Sequence, residues 1–237
     1  MAFAEVFCPR ASRPRFALWG ALVFAWRQAA FELSDARPTE AKCAWWADEA
    51  GRSAQGQPRH PLTRALSEPG LPWTLLSEGL IAAAHAEPRR PVDRDDALAS
   101  VAPLASAISA MECALFAANG GAGAQRAVAV HLLCERLRVG LSAPDGGRIP
   151  LSMLARHGVA AGTLDRPEGE PVVRDWAREL RDAMPAALDD APLYRRSRSA
   201  FDDWHLRALA EGRRKAMPPP RALLLAWRAA RRGRPAG

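Results

Sequence analysis

Two pairs of polar residues have the spacing that brings side chains to one face of a helix. Glu32 and Asp35 are three residues apart, and His131 and Glu135 are four apart. Since such residues are neighbours on a helical surface, the first pair presents two carboxylates and the second an imidazole beside a carboxylate. Oxygen-rich groups of this kind can hold a divalent cation. The simpler interpretation is surface acids near a helix end for the first pair and a hydrogen-bonded surface or core pair for the second.

A further acidic group, Asp93, Asp95 and Asp96, follows a proline-rich break. Three acids in a first helical turn are also what the helix dipole favours, so capping is preferred here over metal binding. The chain contains no GxSxG, HExxH, Walker or CxxC pattern, which leaves standard hydrolase, metalloprotease and nucleotide-triphosphatase functions unsupported. A zinc site is not expected either, because the cysteines are scattered along the chain: Cys8, Cys43, Cys113 and Cys134.

The composition favours an all-α protein with anionic partners. Of the 237 residues, 49% are apolar, Ala and Leu dominate, and runs of strand-forming Val, Ile, Thr and Tyr are almost absent. The formal net charge is +7, and arginine carries almost all of the positive charge because Lys42 and Lys215 are the only lysines. A basic protein suits diphosphates, nucleic acid or acidic membrane surfaces. The same arginine and alanine bias is equally explained by coding composition.

Hydrophobic periodicity divides the chain into three parts. Residues 1–14 are predicted to be a loose arm, 15–216 a single helical domain, and 217–237 a Pro-rich break followed by a basic amphipathic helix. That last helix either lies on an anionic membrane or packs on the bundle with solvated arginines. The apolar run of residues 16–26 is too short to span a bilayer and lacks a cleavage site, so we expect a cytoplasmic protein, with peripheral contact at the inner membrane face as an option.

The stretch around which the chain is organised runs from Thr39 to Leu66. Thr39 is a candidate N-cap, and residues 51–58 break the helix that it starts. Two adjacent indoles, Trp45 and Trp46, cannot both point into one narrow apolar stripe. We therefore expect one indole to be buried against the first core helix and the other to line a cleft or a second contact.

This stretch, with Lys42, the Trp pair, a Gly-rich break and then His60 and Pro61, resembles the squalene and phytoene synthase family. A second block, GRIPLSMLARHGV at 147–159, resembles the segment that follows the family's second acidic motif. The resemblance implies a single-domain helical bundle of the isoprenoid synthase type with a central apolar cavity. The helices predicted at 15–33 and 124–138 would then face each other across that cavity.

The family holds magnesium and a prenyl diphosphate with two acidic motifs, and both are degraded in this chain. With Arg27 aligned to the family's arginine, Ala30 and Phe31 occupy the first two acidic positions, and in the second motif Val139 replaces the last Asp. The metal ligands that the resemblance leaves are Glu32, Asp35 and Glu135. The arginines it leaves for a diphosphate are Arg27, Arg136, Arg138 and Arg148. The residues that carry the family signature are Lys42, Trp45, Trp46, His60 and Pro61.

The resemblance therefore implies a protein of isoprenoid metabolism that binds a prenyl diphosphate or similar lipid and has weak or no prenyltransferase activity, because too few carboxylates remain for a magnesium cluster. One alternative is an active divergent head-to-head prenyltransferase that uses magnesium. Another is a non-catalytic protein that resembles an assembly factor or binds a membrane surface. Nucleic-acid binding is not favoured, since no recognisable reading motif is present.

Overall fold

The computed structural model describes residues 2–31, 36–66, 68–86, 89–140, 146–214 and 216–232. Helix accounts for 76% of the structure and these residues form no strand, which confirms the all-α class. The helices are α1 (Ala2–Glu5), α2 (Arg13–Phe31), α3 (Ala36–Ala54), α4 (Pro61–Ala65), α5 (Trp73–Ala86), α6 (Arg94–Phe116), α7 (Ala122–Gly140), α8 (Leu151–His157), α9 (Glu170–Asp182), α10 (Leu193–Ala210) and α11 (Pro219–Arg232). Short 3-10 turns lie at Arg10–Ser12, Gly146–Arg148, Ala161–Thr163 and Pro167–Gly169.

The core is built around α2, the first long helix. Its side chains Phe16, Trp19, Leu22 and Trp26 are at most 1% exposed. Burial of each contributes roughly 1.5–3 kcal/mol relative to exposure. Helices α3, α5, α6, α7 and α10 pack successively on one another, and α2 contacts members at both ends of this series. The series must therefore curve around α2.

Trp45 and Trp46 differ in burial, as their adjacent positions predict. Trp46 is only 9% exposed and packs edge-on against Trp26 of α2, with 6.3 Å between ring centroids. Trp45 is 49% exposed and lies against Trp46 and His60. The prediction that Thr39 caps this helix is wrong, because α3 begins three residues earlier at Ala36. Pro38 is compatible with that start, since a proline in the first turn lacks only an N–H that has no helical partner.

A buried carboxylate fixes the turn between α3 and α4. Glu49 accepts hydrogen bonds from the N–H groups of Arg59 and His60, at 2.8 Å each, and from the hydroxyl of Thr63. Burial by itself raises the pKa of Glu49, but these hydrogen bonds outweigh it and lower the pKa below its ordinary value. His60 then caps α4 by accepting the N–H of Leu62.

The acidic group near residue 93 has a capping role, as predicted. Asp93 is the N-cap of α6, and its carboxylate accepts the N–H of Asp96 at 2.9 Å. Among the described helices, α6 is long and apolar enough to cross a membrane, but 56% of its most apolar window is buried inside the bundle. Such burial is also typical of a core helix in a soluble protein.

The first and the last described helices pack on the bundle. Residues 1–14 were expected to form a loose arm, yet α1 contacts α2 and α11, and Ala4 and Cys8 are buried. At the other end, α11 packs on α10 and buries Ala222, Ala226 and Ala229. The basic C-terminal helix therefore packs on the bundle, which is one of the two alternatives predicted for it.

The unequal burial of the two indoles predicts unequal effects on stability. Trp46→Ala should lower the free energy of unfolding by about 3–5 kcal/mol, as large-to-small changes in cores do. Trp45→Ala, the matched control, should cost less than about 1.5 kcal/mol because half of its side chain is already in water. Urea unfolding followed by circular dichroism measures both. Equal losses would contradict the packing described for α3.

Candidate functional site

A cleft of about 370 Å³ opens between α2, α7 and α10, beside α1. Helix α2 gives it an apolar wall, and all three long helices contribute charged side chains to the lining. The apolar wall comprises Phe16, Ala17, Gly20, Ala21, Val23 and Phe24. The remaining lining residues are Glu5, Arg27, His131, Glu135, Arg138, Tyr194 and Arg198. The lining is thus mixed rather than wholly apolar.

Glu135 of α7 lies at the centre of the charged side. Its carboxylate pairs with Arg27 of α2, with Arg138 one turn later on α7 at 2.5 Å, and with Arg198 of α10 at 2.9 Å. Burial alone would raise the pKa of Glu135, but the charges of Arg198, His131, Arg138 and Arg27 together lower it to about 2. The carboxylate is therefore ionised at neutral pH and ties three helices together.

His131 lies one turn before Glu135 and belongs to a second buried pair. Its Nδ1–H donates to the carboxylate of Asp202 at 3.0 Å, and both side chains are at most 2% exposed. Burial lowers the pKa of His131 below its ordinary value in spite of the opposing charge of Asp202. The imidazole is then neutral at neutral pH. The Nε atom of Arg198 also lies 3.9 Å from Oδ1 of Asp202.

The net charge of this cluster is positive. Three guanidinium groups face two carboxylates, so one positive charge is in surplus when His131 is neutral. His131, Glu135 and Asp202 each offer a ligand atom within 4.8 Å of the others, a grouping compatible with a metal ion. However, arginines occupy the carboxylate of Glu135 and would repel a divalent cation. The cluster is better suited to an anion.

The sequence predicted part of this site. Arg27, Glu135 and Arg138, from the predicted ligand sets, meet in the cleft. Arg136 does not line it, and its guanidinium lies 5.2 Å from the ring centroid of Phe31.

The other predicted ligands and the signature residues lie away from the cleft. Arg148 also does not line it and ends the 3-10 turn Gly146–Arg148 with a positive φ of 55°. Glu32 and Asp35 lie outside the described residues. Lys42 is exposed on α3. Trp45 and Trp46 of the same helix pack against His60, the N-cap of α4, whose first residue is Pro61.

The contribution of α10 to the cleft was not predicted from the sequence. Arg198 and Asp202 are one helical turn apart and follow Tyr194 on the same face, and Asp202 and Tyr194 are buried. Charged residues at i and i+4 beside buried aromatic positions are a signal that could have revealed them. Burial also raises the pKa of Tyr194 to about 12, so its phenol is protonated at neutral pH.

A second buried ion pair holds α10 in position. Arg195 donates from Nε and Nη2 to Glu112 of α6, at 2.9 and 2.5 Å, and both side chains are at most 1% exposed. Trp19 of α2 donates its indole N–H to the same carboxylate at 3.1 Å. Because Arg195 precedes Arg198 by one helical turn, this pair also positions Arg198 toward the cleft.

None of the protein-family models and none of the curated proteins compared with this chain matches it. Membership of the squalene and phytoene synthase family therefore stays a prediction from the two sequence blocks.

The low pKa of Glu135 predicts a pH-dependent contribution to stability. An ionised Glu135 stabilises the fold fully above its ordinary pKa of 4.5, and this stabilisation is lost as the pH falls toward 2. Glu135→Gln should therefore cost roughly 3 kcal/mol at pH 7, and the difference from the unmodified protein should shrink below about pH 4.5. Urea unfolding at a series of pH values measures it.

The matched control is Glu211→Gln, which removes a carboxylate from an exposed pair with Arg213. It should cost less than about 1 kcal/mol at any pH. A penalty for Glu135→Gln that does not change between pH 7 and pH 3 would show that the ionised carboxylate is not what holds the three helices.

Proposed function

We propose that the cleft binds a prenyl diphosphate or a chemically similar isoprenoid lipid, and that the protein performs little or no prenyl transfer. The observation that carries the proposal is the convergence of Arg27, Arg138 and Arg198 in a cleft that apolar side chains of α2 also line. The chain would then be a divergent member of the squalene and phytoene synthase family, acting in the cytoplasm.

The charged side of the cleft suits a diphosphate. Phosphate oxygens accept charge-assisted hydrogen bonds from guanidinium groups, which are about twice as strong as neutral ones. The side chains of Arg138 and Arg198 are 37% and 19% exposed, so both are accessible from the cleft. Together with Arg27 they can donate charge-assisted hydrogen bonds to an anion, whereas the same three guanidinium groups would repel a cation.

The apolar wall suits a hydrocarbon chain. Phe16, Val23 and Phe24 of α2 line it, and Phe24 is 52% exposed in the free protein. Covering such surface with a prenyl chain contributes about 0.8 kcal/mol per buried methylene. The volume of about 370 Å³ lies within the usual range for small-molecule sites.

The same geometry disfavours catalysis. In the family that the sequence resembles, magnesium held by carboxylates assists departure of the diphosphate. Here the carboxylate of Glu135 is engaged by three arginines, and Val139 cannot supply another oxygen. The alternative of an active transferase requires Glu32 and Asp35 to reach the cleft with magnesium.

Titration calorimetry with farnesyl diphosphate tests the proposal, once in EDTA and once in magnesium. We expect saturable binding that EDTA does not weaken, and much weaker binding of farnesol, which lacks the diphosphate. Arg138→Gln should weaken binding by about tenfold or more, because it removes a charged donor. The control is Arg156→Gln, which removes the same charge from an ion pair with Glu179 outside the cleft. It should have little effect on the binding of farnesyl diphosphate.

Four outcomes would contradict the proposal, in whole or in part. Absence of saturable binding, or equal losses in both variants, would remove the cleft as the ligand site. A condensed prenyl product that requires magnesium and disappears in Glu135→Gln would overturn the non-catalytic part alone. Binding of farnesol as tight as that of farnesyl diphosphate would exclude the arginines from recognition.

A further inference from the structure

A second, larger groove of about 800 Å³ runs between α10, α11 and the segment of residues 184–189. It shares no lining residue with the first cleft. Five arginines line it, against two carboxylates. The arginines are Arg196, Arg207, Arg221, Arg228 and Arg232, and the acids are Asp189 and Asp203.

Three of these arginines lie on one face of α11. Arg221, Arg228 and Arg232 are separated by seven and four residues, which places them in a row along the groove. All three are exposed, and none of their guanidinium groups forms an ion pair or hydrogen bond within the described part of the chain. Like charges four residues apart on a helix, such as those of Arg228 and Arg232, destabilise it unless an anion compensates them.

The other two arginines leave the groove with excess positive charge. Arg196 donates to the backbone carbonyls of Ala191, Ala229 and Asp189, at 2.6, 3.0 and 3.2 Å, which joins α10 to α11 without neutralising the guanidinium. Arg207 shares Asp203 with Arg181 from α9. The groove therefore presents three more positive than negative side chains.

A polar group without a partner lies on the same wall. Ser199 of α10 is only 5% exposed, and its hydroxyl has no hydrogen-bond partner among the described residues. A buried donor left unsatisfied costs about 1–3 kcal/mol. Beside it, Met184, Pro185, Leu188 and Leu225 give the groove an apolar side.

We propose that this groove binds a ligand that carries two or more phosphate groups. Several phosphates can pair with the row of arginines at once, whereas a single carboxylate can relieve only one of the repulsions. The groove is larger than one phosphate group requires, and its apolar side can accept an organic part of the ligand. The proposal is independent of the function proposed for the first cleft.

Inorganic triphosphate is the probe, titrated calorimetrically into the full chain at low and at physiological ionic strength. Arg228→Gln should weaken binding by about tenfold, and the double change Arg221→Gln with Arg228→Gln by about a hundredfold. The control is Arg231→Gln on the same helix. Its guanidinium lies over Trp227, with 5.0 Å to the ring centroid, and does not line the groove. The control should change the affinity less than about twofold.

A second control separates the two sites. Arg138→Gln, in the first cleft, should leave triphosphate binding at the groove unchanged. If Arg138→Gln abolishes binding, or if Arg231→Gln weakens it as much as Arg228→Gln, the proposal is overturned. The proposal is also overturned if the unmodified protein shows no saturable binding of any of the phosphate probes. Unchanged circular dichroism of Arg228→Gln confirms that the exposed substitution does not unfold the protein.

Two further arms identify the source of the phosphates. Adenosine triphosphate is compared with inorganic triphosphate, and tighter binding of the nucleotide would assign the apolar side to its organic part. Vesicles that contain phosphatidylinositol bisphosphate are compared with neutral vesicles. Binding to the former alone, lost in Arg228→Gln, would assign the groove to a lipid headgroup, and a response to soluble triphosphate alone would assign it to a free ligand.

Discussion

The position of the three central helices depends on one buried carboxylate, that of Glu135. It receives a guanidinium group from α2, from α7 and from α10, so its charge is compensated from three directions. A buried charge is tolerated only when it is paired and hydrogen-bonded, and loss of one partner leaves the others without compensation. Glu112 of α6 has a similar role, because its buried carboxylate accepts hydrogen bonds from Arg195 of α10 and Trp19 of α2. These buried ion pairs and hydrogen bonds thus fix how the helices are positioned relative to one another.

The abundance of arginine has two different structural consequences. In the first cleft, arginines are drawn inward by Glu135 and Asp202, and only a small surplus of positive charge is left for a ligand. Along α11, arginines stand in a row with few acids nearby. Composition alone cannot distinguish these situations, because the net charge of +7 is the same whether each guanidinium is paired or not. The position of each side chain relative to a carboxylate decides its role.

Local signals predicted the elements of the fold better than the site. The scarcity of strand-forming runs, the split roles of Trp45 and Trp46, and the capping by Asp93 all follow from neighbouring residues. The contribution of Arg198 depends instead on a contact with Glu135, sixty-three residues away in sequence, and no local pattern encodes such a contact.

The position of Arg136 outside the cleft has a geometric cause. It lies two residues from Arg138, and positions two apart on a helix point to nearly opposite sides. Both therefore could not line one cleft. Arg138 does line it, while Arg136 stacks on Phe31.

The contact between α1 and α11 joins segments more than two hundred residues apart. The entropic cost of closing so long a loop grows only slowly with its length. The large sequence separation nevertheless places this contact among those with the highest contact order in the described residues. During synthesis α1 emerges long before α11, so the surface of α1 that contacts α11 stays uncovered until α11 has left the ribosome. This contact is therefore among the last to form, and the nascent chain exposes that surface during elongation.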